Sequence, residues 1–125
     1  MTVYLRLDDA RQVVEAFGFH VRDAGLLASA LARPAAAMFE EEAYRDLDAK
    51  SAALLESLLR NHALADGNRR TGWTLLVVFW WLNGFRQTFS EDEAFDLVVG
   101  VAEGRIDLAE STRRLARHRV PRARD

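Results

Sequence analysis

The sequence predicts an all-α fold, a compact bundle of about six helices with a short flap before the central helix. Three observations predict it: apolar residues recur at helical spacing in several segments, capping and stop signals separate these segments, and alternating strand patterns are almost absent. With 125 residues, 50% of them hydrophobic and 29% charged, the chain has the composition of one soluble globular domain spanning residues 1–125.

Capping residues predict the first two helices. Asp8 or Asp9 is expected to cap a helix that ends near Gly18. Asp23 is expected to cap a second helix, which ends at Arg33 because the proline after it disfavours helical geometry in the preceding residue.

The middle of the chain is predicted to hold the flap and the two most apolar helices. Residues 34–45 have mixed character and are expected to form a flap or loop. From Asp46, leucines and alanines follow helical spacing as far as 61–64, which defines the central helix. A second helix is predicted from about 70 to 82, ended by Asn83-Gly84, and its nearly uniform apolar character predicts the buried axis of the domain.

The C-terminal part is predicted to contain two further helices and a basic end. Helices are expected over 91–103 and 108–118, each started by a capping-box pair, Ser90 with Glu93 and Asp107 with Glu110. Residues 113–125 hold six arginines and one aspartate, and they are expected to form a solvated, fraying tail. The rest of the chain is acidic, which argues against direct nucleic-acid binding, since neutralising phosphates requires a basic face.

Composition also excludes several classes of protein. The absence of cysteine excludes a disulfide scaffold, a thiol nucleophile and a cysteine-ligated metal. The longest apolar stretch, residues 73–82, is well short of the ~20 residues that a membrane span requires. The first residues lack the basic and apolar regions of a secretory signal. We therefore expect a cytoplasmic protein with no membrane partner.

Residues suited to chemistry concentrate in the segment NHALADGNRRTG, residues 61–72. Gly67 can adopt positive φ, so the chain can turn tightly and direct backbone amides toward an anion. The helix N-terminus after it and the guanidinium groups of Arg69 and Arg70 would suit a phosphate-bearing ligand. Asp66 would repel that ligand unless a cation lies between them, which is how Mg²⁺ is commonly held beside phosphates. The loop therefore predicts a site for a metal-bound nucleotide.

His62 supplies the remaining chemical group. It follows Leu58 by four residues and is expected to project from the apolar face at the end of the central helix, toward the loop. Its imidazole can accept a proton from an attacking hydroxyl near neutral pH. Each residue alone has an ordinary explanation: His62 as a core histidine, Asp66 and Asn68 as N-caps, and the arginines as solvated. Together, five residue types at these spacings arise by chance in only about a few of 100,000 such chains.

The segment from His62 to Arg70 resembles the signature of the Fic family, H-x-F-x-D/E-G-N-G/K-R. It is most similar to the death-on-curing (Doc) branch, the toxins of type II toxin–antitoxin systems. The similarity extends to VRDAGLL at 21–27, ALARP at 30–34 and KSAALL at 50–55. This resemblance implies a Fic-type helical bundle with a flap before the central helix.

The resemblance also implies the role of each loop residue. His62 would be the general base, and Asp66 would hold Mg²⁺; together with Arg70 they would form the catalytic set. The phosphates of ATP, or of another nucleoside triphosphate, would be bound by a loop of four residues: Gly67, Asn68, Arg69 and Arg70.

Two departures from the family pattern bear on the reaction. Arg69 stands where most Fic enzymes have glycine and Doc proteins usually have lysine, and Trp73 stands where nucleotide-transferring Fic enzymes commonly carry a second arginine. Both imply a protein kinase that phosphorylates translation elongation factor Tu and arrests protein synthesis. Two alternatives stay open. One is an AMP transferase of the Fic type, and the other is a catalytically silent protein that binds only nucleotide or a partner, which Ala63 and Leu64 in place of the usual Pro-Phe would favour.

A partner is expected to restrain the activity. The sequence lacks the S/T-x-x-x-E-G/N motif of the inhibitory helix found in some Fic proteins. By resemblance, the partner would be a small antitoxin whose disordered tail folds against the toxin.

Overall fold

The computed structural model describes residues 1–123 and confirms the predicted all-α fold. Its α-helices are α1 Leu7–Ala16, α2 Ala24–Ala32, α3 Leu47–Arg60, α4 Asn68–Leu82, α5 Glu91–Ala102 and α6 Leu108–Arg117, with a 3₁₀ turn over Arg33–Ala35 after α2. Four short strands form two antiparallel pairs, β1 Ala37–Met38 with β2 Glu41–Glu42, and β3 Phe85–Gln87 with β4 Arg119–Pro121. The longest helix, α4, has 15 residues, and no membrane-spanning helix is found among residues 1–123.

Helix α3, rather than α4, is the buried centre of the fold. Nine of the 14 residues of α3 are buried, against six of the 15 in α4. The prediction that α4 forms the buried axis is therefore wrong: it packs one stripe of residues inward, while Trp81 and Leu82 are 51% and 43% exposed. The two helices are joined by a buried hydrogen bond of 2.7 Å from the Trp80 indole N–H to the hydroxyl oxygen of Ser51.

The start of α1 differs from the prediction. Arg6 occupies the N-cap position, while Asp8 and Asp9 lie in the first turn. The carboxylate of Asp9 accepts a hydrogen bond of 2.9 Å from the Arg6 backbone N–H, so it reaches back to the cap position instead of occupying it. The predicted N-cap at Asp23 is confirmed, since its carboxylate accepts the Leu26 N–H at 3.0 Å.

The flap is a β-hairpin tied to α3 at both of its ends. Phe39 and Glu40 form its tip with φ of 52° and 66°. At one end, Arg33, which precedes the hairpin, donates to the Tyr44 hydroxyl at 2.9 Å and to the Glu56 carboxylate of α3 at 3.0 Å. At the other, the buried Lys50 ammonium of α3 donates to the Glu42 carboxylate at 3.0 Å. Burial alone would lower the pKa of Lys50, but its hydrogen bonds and charge interactions with Glu42 and Tyr4 together outweigh burial, so the pKa is raised and the ammonium stays charged.

The basic C-terminal segment is part of the fold. The expected solvated, fraying tail is wrong for residues 113–121, because Arg113 to Arg117 complete α6 and Arg119–Pro121 pairs with β3. Arg119 also forms a two-bond ion pair with Asp48, at 2.6 and 3.2 Å. The strand partner is remote in sequence, so local periodicity does not reveal it. The last two residues of the predicted tail, 124 and 125, lie outside the described residues.

The predicted capping box of α5 is confirmed, whereas only half of the one predicted for α6 is formed. Ser90 and Glu93 form a reciprocal capping box, with hydrogen bonds of 3.0 and 3.1 Å. Asp107 accepts the backbone N–H of Glu110 at 2.8 Å, but the carboxylate of Glu110 binds arginines of α6 instead of the backbone N–H at the cap position.

Helix α4 begins at Asn68, two residues before the predicted start, so the end of the predicted loop forms the first turn of the helix.

Candidate active site

A cleft of about 710 Å³ brings the predicted site residues together. It lies where α3 ends and α4 begins, and the loop between the helices and the first turn of α4 form most of its wall. Its lining consists of Phe19, Leu59, His62, Ala65, Asp66, Gly67, Asn68, Arg69, Arg70 and Ala102. The predicted loop residues thus line one cavity, together with an aromatic side chain, Phe19, from the connection between α1 and α2.

His62 lies beyond the end of α3. The helix ends at Arg60 with Asn61 as its C-cap, and His62 follows with φ of 52°, exposed to solvent. The prediction that it projects from the apolar face of the helix is wrong, because the helix ends before it. A left-handed conformation in a residue other than glycine costs on the order of 1–3 kcal/mol and is common at functional sites. Surrounding contacts must therefore hold His62 in place.

Backbone hydrogen bonds attach the loop after His62 to the connection between α1 and α2. Val21 and Leu64 form an isolated antiparallel bridge. The carbonyl of Ala63 accepts the N–H groups of Arg22 at 2.8 Å and Asp23 at 3.0 Å. In addition, the Arg22 guanidinium donates to the carbonyl oxygen of His62. The loop is thus supported by a segment about forty residues earlier in the chain.

Asn68 closes the loop from its other end. Its side-chain oxygen accepts the Leu64 N–H, and its side-chain nitrogen donates to the Leu64 carbonyl, both at 3.1 Å. This pair of bonds resembles one step of an antiparallel ladder and satisfies the amide side chain inside the loop. The side chain of Asn68 is therefore used to hold the loop in shape. If Asn68 helps to bind an anion, it would do so through its backbone N–H.

Gly67 turns the chain into α4, as the sequence predicts. Its φ is 79°, and a Cβ placed there would lie only 2.2 Å from the Phe19 ring. Both the backbone conformation and the lack of space therefore require glycine. The Gly67 N–H donates to the Asp66 carboxylate at 2.8 Å, so this amide is already used within the loop.

The first turn of α4 presents positive groups to the cleft. Within residues 1–123, the backbone N–H groups of Asn68, Arg69 and Arg70 have no hydrogen-bond partner, as expected for the start of a helix. The side chains of Arg69 and Arg70 are exposed, and neither lies within ion-pair distance of a carboxylate in the described part of the chain. Amides at the positive end of a helix together with two guanidinium groups suit a polyanion.

Among residues 1–123, Asp66 is the one carboxylate that lines this cleft. One of its oxygens accepts the Gly67 N–H, which orients the group, and the side chain is exposed. No cluster of three metal-ligating side chains occurs in residues 1–123. A single carboxylate beside a phosphate site suits Mg²⁺, which keeps several waters and binds through one or two carboxylates together with phosphate oxygens. The donor set therefore fits a metal held jointly with a nucleotide.

Two supporting residues, Phe19 and Arg22, were not predicted as parts of the site. Neither lies near the signature segment in sequence. Arg22 belongs to the stretch VRDAGLL at 21–27 that resembles Doc proteins, which could have pointed to it, whereas nothing in the sequence marks Phe19. Their position follows from the packing of the connection between α1 and α2 against the loop.

Comparison with known proteins decides the family. A family model described as the Fic/DOC family matches residues 4–80, from the segment before α1 to near the end of α4. This chain belongs to the Fic/DOC family. It is also 46% identical over 113 residues to the protein named Toxin Doc of Mycolicibacterium smegmatis (strain ATCC 700084 / mc(2)155), an alignment that covers 86% of this chain and 87% of that relative. The whole Fic/DOC loop, His62 to Arg70, lies inside the matched region.

Proposed function

We propose that this Fic/DOC protein is a toxin that transfers the γ-phosphoryl group of a nucleoside triphosphate to a protein hydroxyl. The observation that carries the proposal is the single cleft shared by His62, Asp66, Arg69 and Arg70. ATP is the proposed donor and elongation factor Tu the proposed target, so that the reaction would arrest protein synthesis. The similarity to a protein named Toxin Doc supports the toxin function.

The reaction assigns one task to each group of residues. The target hydroxyl oxygen attacks the γ-phosphorus, the bond from that phosphorus to the β,γ-bridging oxygen breaks, and the nucleoside diphosphate leaves. His62 accepts the proton of the attacking hydroxyl. The free amides at the start of α4, with Arg69 and Arg70, bind phosphate oxygens and stabilise the charge of a loose transition state. Asp66 would hold Mg²⁺, which neutralises phosphate charge when bound.

The two departures from the Fic signature favour phosphoryl transfer over AMP transfer. Arg69 is exposed at the cleft, in the position where a smaller residue would leave room for a diphosphate to pass the loop and present its α-phosphorus. Trp73, in the position of the second arginine, has an uncharged side chain that cannot bind phosphate as a guanidinium would, and its ring packs edge-on against Phe89 with ring centroids 5.2 Å apart. Both features support attack at the γ-phosphorus.

Labelled ATP tests the reaction. The purified protein is incubated with elongation factor Tu and either γ-labelled or α-labelled ATP, with His62→Ala as the inactive control. Label on the target from the γ position alone supports the proposal. Label from the α position would instead establish AMP transfer, and nucleotide binding without any labelled protein would establish the silent alternative. Repeating the experiment in a cytosolic lysate identifies the target if elongation factor Tu stays unlabelled.

A small antitoxin is the proposed partner of this toxin. Expression of the protein alone is expected to stop growth, and coexpression with a small open reading frame encoded beside it is expected to restore growth. The His62→Ala variant should be harmless in both cases. Normal growth during expression of the unmutated, folded protein would contradict the toxin assignment.

A further inference from the structure

The connection between α1 and α2 contacts the catalytic histidine through one side chain. The Arg22 guanidinium donates to the carbonyl oxygen of His62, forty residues later in the chain. Within residues 1–123 this is the only hydrogen bond that the backbone of His62 forms. The contact therefore acts on the one residue between α3 and α4, apart from glycine, that adopts a left-handed conformation.

Within residues 1–123, the Arg22 guanidinium has a single hydrogen-bond partner, the carbonyl oxygen of His62. The guanidinium lies within ion-pair distance of no carboxylate in the described residues, and the neighbouring Asp23 carboxylate caps α2. The Arg22 backbone is fixed independently, because its N–H donates to the Ala63 carbonyl at 2.8 Å. A side chain that extends from a fixed backbone to one carbonyl oxygen can hold that oxygen in a narrow range of positions.

The orientation of His62 depends on that carbonyl. Rotation about φ moves the carbonyl group and the Cα–Cβ bond of the same residue together, so restraining the His62 carbonyl also limits the directions that its Cα–Cβ bond can take. A displacement of about 1 Å in a reacting group can lower a rate by about a hundredfold. Bonds to the neighbouring Ala63 and Leu64 hold the loop, but they do not engage the His62 carbonyl itself.

We propose that Arg22 is a positioning residue of this site, which holds the His62 peptide so that the imidazole faces the cleft. The catalytic part of this inference rests on the proposed phosphoryl transfer, while the structural part does not. Arg22 itself contacts neither of the reacting groups. It acts through His62, so its loss should slow the chemical step and leave nucleotide binding largely intact.

Two substitutions test the role by kinetics. Arg22→Met keeps the apolar stem but removes the donor, and Arg22→Lys keeps a donor and the charge. We expect Arg22→Met to lower kcat by about tenfold to a hundredfold with KM for ATP changed less than about threefold. Arg22→Lys should recover a large part of the loss. The matched control is Arg11→Met on the exposed side of α1, which should leave both constants unchanged.

Amide hydrogen exchange supplies a readout that does not need activity. In Arg22→Met, the amides of Leu64 and Ala65 should exchange faster, while that of Leu55 in the centre of α3 should not change. Unaltered amide exchange at Leu64 and Ala65 in Arg22→Met would overturn the inference. A change in KM for ATP with kcat unaffected would also overturn it, and so would an equal decrease of kcat in Arg11→Met. If the unmutated protein transfers no phosphoryl group, the proposed function fails, and the exchange result alone decides whether Arg22 holds the loop.

Discussion

The aromatic ring of Phe19 lies directly against the α-carbon of Gly67, so closely that a Cβ on Gly67 would come within 2.2 Å of it. Phe19 extends from the connection between α1 and α2, and Gly67 is the N-cap of α4. This contact sets the path of the chain from Asp66 into the helix, because it leaves room only for glycine. The shape of the proposed phosphate site thus depends on a residue remote from the signature.

Gly67→Ala should be more destabilising than the same change at Gly18. Both glycines have positive φ, 79° at Gly67 and 77° at Gly18, but a Cβ at Gly18 would meet no atom within 4 Å. Gly18→Ala should therefore cost only the left-handed conformation, about 1–2 kcal/mol of unfolding free energy. Gly67→Ala should cost about 1–3 kcal/mol more, through the clash with the Phe19 ring. Urea unfolding measures both.

A double variant identifies the source of the extra cost. In a Phe19→Ala background the ring is absent, so Gly67→Ala should there cost no more than Gly18→Ala. An extra cost that persists without the ring would show that Phe19 is not its cause.

Substitutions of His62 should separate stability from activity. His62 is exposed and has φ of 52°, so His62→Gly relieves the left-handed conformation and should raise the unfolding free energy by roughly 1 kcal/mol. His62→Ala keeps a Cβ and should leave stability nearly unchanged. Both variants should lose phosphoryl transfer and growth inhibition. Thermal unfolding and the labelled-ATP assay measure the two properties, and substantial unfolding of His62→Ala would favour a structural histidine over a catalytic one.

Removal of Mg²⁺ should weaken nucleotide binding through Asp66. We expect EDTA to lower the affinity of the unmutated protein for ATP by about tenfold or more, which corresponds to about 1.4 kcal/mol. Asp66→Ala should bind ATP with the same affinity in the presence and absence of Mg²⁺. Titration calorimetry measures each case, with the exposed Asp8→Ala as the control that keeps the dependence. If the unmutated protein binds ATP with equal affinity in Mg²⁺ and in EDTA, Asp66 does not hold a metal, and its role is limited to the hydrogen bond with Gly67.

The free energy of unfolding should decrease at low pH, partly because the Glu93 carboxylate becomes protonated. Hydrogen bonds from the backbone N–H and hydroxyl of Ser90 hold the pKa of Glu93 below its ordinary value of 4.5. A carboxyl with a lowered folded-state pKa stabilises the fold above its unfolded pKa, and this stabilisation is lost as pH falls through the folded pKa. In Glu93→Gln, the decrease of stability below pH 4.5 should be shallower. Urea unfolding across that range, with Glu91→Gln as the control in the same helical turn, measures the effect; parallel curves would contradict it.

Local chemistry made the helices and the loop predictable from sequence. The caps formed by Asp23 and Ser90 each join a side chain to an N–H three residues later, so both partners are visible in a short segment. The positive φ of Gly67 follows in the same way from its residue type and its place before α4. The signature was readable for the same reason, because its residues occupy one loop and share one cleft.

Tertiary packing decided which remote residues contact and support the loop. The pairing of β3 with β4, the Arg22 contact to His62 and the Phe19 contact to Gly67 each join segments at least thirty residues apart. Hydrophobic periodicity specifies which face of an element is buried, but it does not specify which remote segment covers that face. The sequence by itself therefore determined the helical class and the chemical groups of the loop. Only the folded chain determined that His62 lies outside α3 and that α3 is the buried centre, because both depend on where remote segments pack and exclude water.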